Sequence, residues 1–231
     1  FESFLVDAFI SAQNEVKFWV DIQDYFIFKS LNDLIPKFSI KMDFKEIRSI
    51  TEIISNIVDY KSEFTLRHSK GLSEKALLMS EFYKFDLDTK YQLGIAADLH
   101  DIGKLAISND ILDKNGKLEP FEFLEIKSHA YLTRKALENI CGFEKITEWA
   151  ANHHEKLNGR GYPLGKTDDE LDFCSRILGC LDIYQALTEE RPYRASLSHE
   201  KSISIMKSMS ENYEIDSNIV DSIDKVFCLS I

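Results

Sequence analysis

The chain has 231 residues, 44% of them hydrophobic, which is enough apolar material for a substantial core and excludes a globally disordered chain. A net charge of -11 excludes a general nucleic-acid surface, which needs a basic face, and it opposes an anionic substrate except where a bound metal reverses the local field. Only 9 glycines and 4 prolines argue against an all-β fold rich in tight turns, and no apolar run is long enough to span a membrane.

The four cysteines (Cys141, Cys174, Cys180, Cys228) form no CxxC and read as reduced core thiols of a cytoplasmic protein. The start, Phe1-Glu2-Ser3-Phe4, carries neither an initiator methionine nor a basic leader, so the chain is expected to begin inside a longer protein. Residues 1–42 are aromatic-rich, with apolar residues at helical spacing that stop at Pro36. They predict two or three short helices, their aromatic stripe serving as core, that either dock on a main domain over 43–231 or form the tail of a preceding one.

Asp43 is placed to cap a helix running to about Tyr60, with Phe44, Ile47, Ile50, Ile54, Ile57 and Val58 on its apolar face. Ser62 and Thr65 offer caps for a second helix through Phe82, with His68 near its start. A third, roughly Leu87 to His100, ends at Leu99-His100-Asp101-Ile102-Gly103-Lys104, where Gly103 stops it. Residues 105–118 read as irregular, with a turn at Asn115-Gly116. Pro120 suits the first position of a helix that carries His129. Phe143 begins a helix that ends at His153-His154, and the loop Asn158-Gly159-Arg160-Gly161-Tyr162-Pro163 follows. Asp172 opens a helix to about Thr188 with Asp182 inside it, and two terminal helices remain near 198–210 and 216–228. No strand is predicted, so the fold class is all-α.

Neighbouring side chains on a helix diverge by about 100°, so His100 and Asp101 are expected not to pair with each other but to converge on one ion. Their pairing in sequence, the His153-His154 pair and the acid Asp182 between Leu181 and Ile183 make a ligand set once His68 and His129 are added. Imidazole with carboxylate suits iron, manganese, nickel or zinc. Seven ligands exceed one tetrahedral zinc and fit two metals bridged by a carboxylate, a device used for in-line phosphoryl hydrolysis. His199, between Ser198 and Glu200, reads as a surface residue, and Glu155 either as a partner orienting His153 or His154 or as a solvated loop acid.

His68, His100-Asp101 and Asp182 resemble the HD phosphohydrolase superfamily. His129, the run from His153 to Pro163, and Arg191-Pro192-Tyr193-Arg194 resemble its HD-GYP branch, over roughly residues 43–228. The resemblance implies an HD-type helical bundle that hydrolyses cyclic di-GMP, or a related cyclic dinucleotide, in the bacterial cytoplasm. It implies one divalent metal on His68, His100, Asp101 and Asp182, and a second on His129, His153 and His154 with Asp101 bridging, iron or manganese ahead of nickel or zinc. Asp101 and Lys104 would be catalytic, Lys104 reaching a phosphate oxygen or steadying a hydroxide between the metals. Gly161, Tyr162, Pro163, Arg191 and Arg194 would bind substrate. Diguanylate-cyclase or other regulatory domains and an oligomer are compatible with it; a nucleic-acid polymer and membrane insertion are not. The Phe18-Trp19-Val20-Asp21 segment resembles the tail that follows a degenerate first HD unit in two-unit relatives.

The sequence departs from the family pattern in four places. Phe64 stands where some members have a glutamate for a third metal, so two metals are expected; Asn158 replaces an aspartate, Ala130 a proline and Gln185 an aspartate. The competing readings are a weakly catalytic cyclic-dinucleotide sensor or interaction module, and another HD-type nucleotide phosphohydrolase.

Overall fold

The structure, a computed structural model, describes residues 2–23, 26–27, 30–31, 34, 40–61, 68–114, 116–190 and 195–228. Pro36, Ser62, Phe64, Thr65, Asn115, Arg191 and Arg194 lie outside the described residues. Among the described residues the fold is all-α, the only extended pairing being a single bridge between Asn158 and Thr167. No helix among them is long and apolar enough to cross a membrane.

The chain divides into two compact units, Phe1–Lys41 and Met42–Ile231. The first contains α1 (Ser3–Ala12) and α2 (Val16–Asp21), and it packs by its own aromatics: Phe18 meets Phe9 and Trp19 edge-on at 5.9 and 5.2 Å. Neither helix has a buried residue, so the stripe expected as core is an exposed one.

The second unit starts with α3 (Phe44–Asp59), whose capping box is complete: the Asp43 carboxylate accepts the Glu46 N–H at 2.8 Å, and the Glu46 carboxylate accepts the Asp43 N–H at 2.9 Å. Ile50 and Ile57 are exposed, against expectation. Phe44, Ile47 and Ile54 pack against the core as expected, and the buried residues of α3 are Thr51, Ser55, Val58 and Asp59. The cause is polar demand: Thr51 donates to the buried Asp98 carboxylate at 3.0 Å, and Asp59 accepts both the N–H and the hydroxyl of Ser69 at 3.1 and 2.6 Å.

Helices α4 (His68–Phe82) and α5 (Leu87–Leu99) form the centre. α5 is capped by Asp86 and buried all along Leu93 to Leu99. A 3₁₀ turn (Ile102–Ala106) and a short α6 (Asn109–Leu112), capped by Ser108, occupy the stretch expected to be irregular. α7 (Pro120–Leu137) and α8 (Glu144–Ala151) follow. The Asp172 carboxylate that caps α9 (Phe173–Thr188) also accepts the Trp149 indole N–H at 2.6 Å, tying α8 to the start of α9. α10 (His199–Glu211) and α11 (Ser217–Phe227) close the core around Ile177, Leu178, Met206, Ile219 and Ile223. Cys174 and Cys180 are core residues as expected, but Cys141 and Cys228 are exposed.

Candidate metal centre

Five separate elements bring the seven proposed ligands to one place. His68 is the first residue of α4, His100 and Asp101 follow α5, His129 lies mid-way along α7, His153 and His154 follow α8, and Asp182 is on α9. The ligand atoms form two triplets, His68/His100/Asp101 and His129/His153/His154, each with its ligand atoms within 4.8 Å of one another. Both carboxylates touch both triplets. Asp101 lies 3.1 Å from His100 Nε2 and 3.3 Å from His129 Nε2. Asp182 lies 2.9 Å from His68 Nε2, 4.0 Å from His100 Nε2 and 3.7 Å from His154 Nδ1.

His100 and Asp101 converge with His68 on one space, as expected, and they approach each other more closely than helical neighbours would. The α-helix ends at Leu99, and Asp101 has left it (φ -101°, ψ 7°), so the 100° divergence of helical neighbours no longer applies. Gly103 also does more than stop a helix. A Cβ there would sit 2.0 Å from the His129 carbonyl oxygen and 2.7 Å from the Thr133 nitrogen. The missing side chain lets α7 lie directly on the 3₁₀ turn. Thr133 locks the crossing: its hydroxyl donates to the His100 carbonyl at 2.8 Å and accepts the Gly103 N–H at 3.1 Å.

Three histidines are oriented alike. Nδ1 of His100, His129 and His153 each faces the carbonyl three residues earlier, Ala97, Ile126 and Ala150, at 2.7, 2.6 and 2.7 Å. Donation from Nδ1 leaves Nε2 as the lone-pair nitrogen, turned inward. Burial pushes the His153 imidazolium well below its usual range, helped by repulsion from His154 and His100, and burial lowers His154 to about 4. His68 goes the other way: burial opposes its charge, but hydrogen bonds to Asp182 and Glu189 outweigh that and raise it to about 9. Asp101 and Asp182 are held well below the carboxylate range; the cost of burying them is outweighed by the facing histidines and, for Asp101, by Lys104.

This donor set fits divalent metal. His100 Nε2 and Asp101 Oδ1 are fully buried and make no hydrogen bond. An unmade bond of that kind costs about 1–3 kcal/mol. An imidazole lone pair and a carboxylate oxygen aimed at the same space are what a cation satisfies.

A family model described as HD domain matches residues 52–219. The chain belongs to the HD domain family. Over 188 residues, 81% of this chain and 44% of its relative, it is 38% identical to "3'3'-cGAMP-specific phosphodiesterase 1" of Vibrio cholerae. Over 131 residues, 52% of this chain and 28% of its relative, it is 40% identical to "Probable cyclic di-GMP phosphodiesterase" of the same organism. The chain thus spans less than half the length of these relatives. Its fold is similar to that of an HDG"Y"P protein from Bdellovibrio bacteriovorus, with a TM-score of 0.60 over 80% of this chain and 63% of that one at 13% identity.

Around these candidate ligands of the HD domain, the Lys104 ammonium lies 2.5 Å from Asp101 Oδ2. The Tyr162 ring stands 4.7 Å from the His154 ring and 6.4 Å from that of His129. Gly161 packs against backbone, since a Cβ would lie 2.4 Å from Glu155 Cα and from the Lys156 nitrogen. Glu155 has neither expected role: it is buried, and its carboxylate accepts the Leu164 and Lys166 N–H groups at 2.7 and 3.0 Å, pinning the loop that presents Tyr162 and Pro163. Asn158 keeps turn chemistry, accepting the Arg160 N–H at 3.1 Å.

Three further residues depart from the sequence reading or were absent from it. Gln185 is buried between Gly71 and Lys75 of α4, accepting the Lys75 ammonium at 2.7 Å. His199 is buried rather than superficial, between the Tyr184 hydroxyl at 2.8 Å and Asp224 at 3.0 Å. Glu189 was missed: its carboxylate is 3.1 Å from His68 Nδ1. Its spacing from Asp182, seven residues or two helical turns, was the signal available.

Proposed function

We propose that the chain is a metal-dependent phosphodiesterase of cyclic dinucleotides, cyclic di-GMP or 3'3'-cGAMP, acting in the cytoplasm. The observation that carries this reading is the pair of ligand triplets spanned by Asp101 and Asp182, with orphaned buried donor atoms facing inward. The names of the relatives support the substrate class, and the four free thiols suit a reducing compartment.

His68, His100, Asp101 and Asp182 would hold one ion and His129, His153 and His154 the other, with Asp101 shared. The mixed imidazole–carboxylate set favours iron or manganese. Bound metals supply Lewis-acid polarisation of phosphoryl oxygen and a lowered pKa for water. The reaction is in-line attack of water on phosphorus with loss of the ribose oxygen, opening the ring to a linear dinucleotide. Lys104 steadies Asp101 and adds positive charge beside the phosphate. Tyr162 walls the side formed by His129 and His154 and offers its ring to a base. Arg191 and Arg194 are the proposed partners of the second phosphate or of guanine.

The test is anaerobic purification, elemental analysis and a product assay with each cyclic dinucleotide. Two ions per chain and a linear product are expected. Two ions with binding of a cyclic dinucleotide but no product would instead support the sensor reading, and absence of metal would sink the enzyme reading.

A further inference from the structure

We infer that Glu189 is a positioning residue: it holds His68 and makes the ion position of His68, His100, Asp101 and Asp182 the tighter of the two. The inference deepens the metal-centre reading above and rests on it. It does not depend on the substrate.

Four of the proposed ligand histidines have a ring-nitrogen partner outside the ligand set, and they divide into two kinds. His100, His129 and His153 place Nδ1 on neutral carbonyls of their own helices or helix ends. His68 opens its helix, and its Nδ1 meets a carboxylate from another element, Glu189 Oε2 at 3.1 Å. The imidazole is buried and the Glu189 side chain is 14% exposed, so solvent screens the contact little. Nε2 of the same ring faces Asp182 Oδ1 at 2.9 Å. Helix α9 and the residue just past its end therefore supply both partners of one imidazole, from positions seven residues apart.

The register of α4 against α9 enforces this. His68, Gly71 and Lys75 share one face of α4, Asp182 and Gln185 share one face of α9, and Glu189 follows directly as the C-cap of α9. Gln185 lies on Gly71 and bonds Lys75, which pins the two faces in line and leaves Glu189 opposite His68.

The consequence is unequal. A carboxylate on the far nitrogen fixes the tautomer and raises the basicity of the coordinating nitrogen more than a carbonyl does. The first triplet has Asp101 within it, Asp182 on His68 and Glu189 behind it. The second is three imidazoles, with Asp101 reaching His129 at 3.3 Å and Asp182 reaching His154 only at 3.7 Å. Negative charge thus concentrates on the first.

The experiment strips the chain with chelator and titrates it with Mn(II) by calorimetry, repeating with Co(II) so that the visible spectrum reports each position. The parent is expected to show two classes of site. Glu189→Gln, which keeps shape and loses charge, should weaken the tighter class about 10–100-fold and leave the weaker class in place; Glu189→Ala should do at least as much. The Co(II) band of the tighter class should shift in Glu189→Gln. Unchanged constants, or an equal loss in both classes, would overturn the inference, the latter because it marks a merely structural role. Two classes that respond as described in a chain that hydrolyses no cyclic dinucleotide would retire the substrate reading and leave this one standing.

Discussion

Asp101 meets three side chains from three directions: His100 at 3.1 Å, Lys104 at 2.5 Å and His129 at 3.3 Å. It is the one ligand in contact with both triplets and with a cation. Its substitution should therefore behave unlike that of a peripheral histidine. Asp101→Ala is expected to lower bound metal from two ions per chain to near none and to abolish turnover, whereas His129→Ala should leave the ion on the first triplet. Elemental analysis of the two purified variants side by side makes the comparison. Retention of an ion by Asp101→Ala would show that Asp182 alone can join the triplets.

At the scale of elements, the decisive contact is the crossing of α7 over the 3₁₀ turn at Gly103. A methyl group there meets backbone, not a flexible side chain, at 2.0 Å, so relief requires α7 to move and to carry His129 away from Asp101. Gly103→Ala is expected to cost about 1–3 kcal/mol or more. At about 2–4 °C per kcal/mol for a chain of this size, the loss is readable by thermal unfolding. It should also weaken the metal position of the second triplet more than the first. Wild-type melting with both positions intact would show that the crossing tolerates the methyl group.

Across the whole molecule, the histidines of the candidate metal centre set opposite pH limits on the metal-free fold. His154, His153 and His129 are depressed below 6.5, so the unfolded chain takes up protons first as pH falls; their contribution is complete above about 6.5 and is lost as pH drops through the folded value, about 4 for His154. His68 is raised to about 9, so its contribution is complete below 6.5 and is lost as pH climbs through 9. The melting temperature of metal-free protein is expected to peak near pH 6.5 and to fall on both sides. A profile rising steadily to pH 9 would contradict the His68–Asp182–Glu189 arrangement.

Much of the helical layout was legible from local signals. Asp43, Pro120 and Asp172 each mark a helix start found in the structure, because capping is a property of adjacent residues. Periodicity misassigned Ile50 and Ile57, since the side of α3 that turns inward is chosen by Asp98 and Ser69 on other helices. His199 looked superficial beside two polar neighbours, and only the approach of α9 and α11 supplies Tyr184 and Asp224 to bury it.

The sequence by itself determined an all-α chain, the residue types of a histidine–carboxylate centre and their order along the chain, because composition, caps and motif spacing are local or countable. Tertiary structure decided which atoms face one another. It turned Asp101 out of its helix toward His100, used Gly103 for contact instead of termination, gave Glu155 to the loop backbone and set Glu189 behind His68. Each of these depends on two elements distant in sequence meeting within a few ångströms, and no periodicity along one strand of chain encodes that distance.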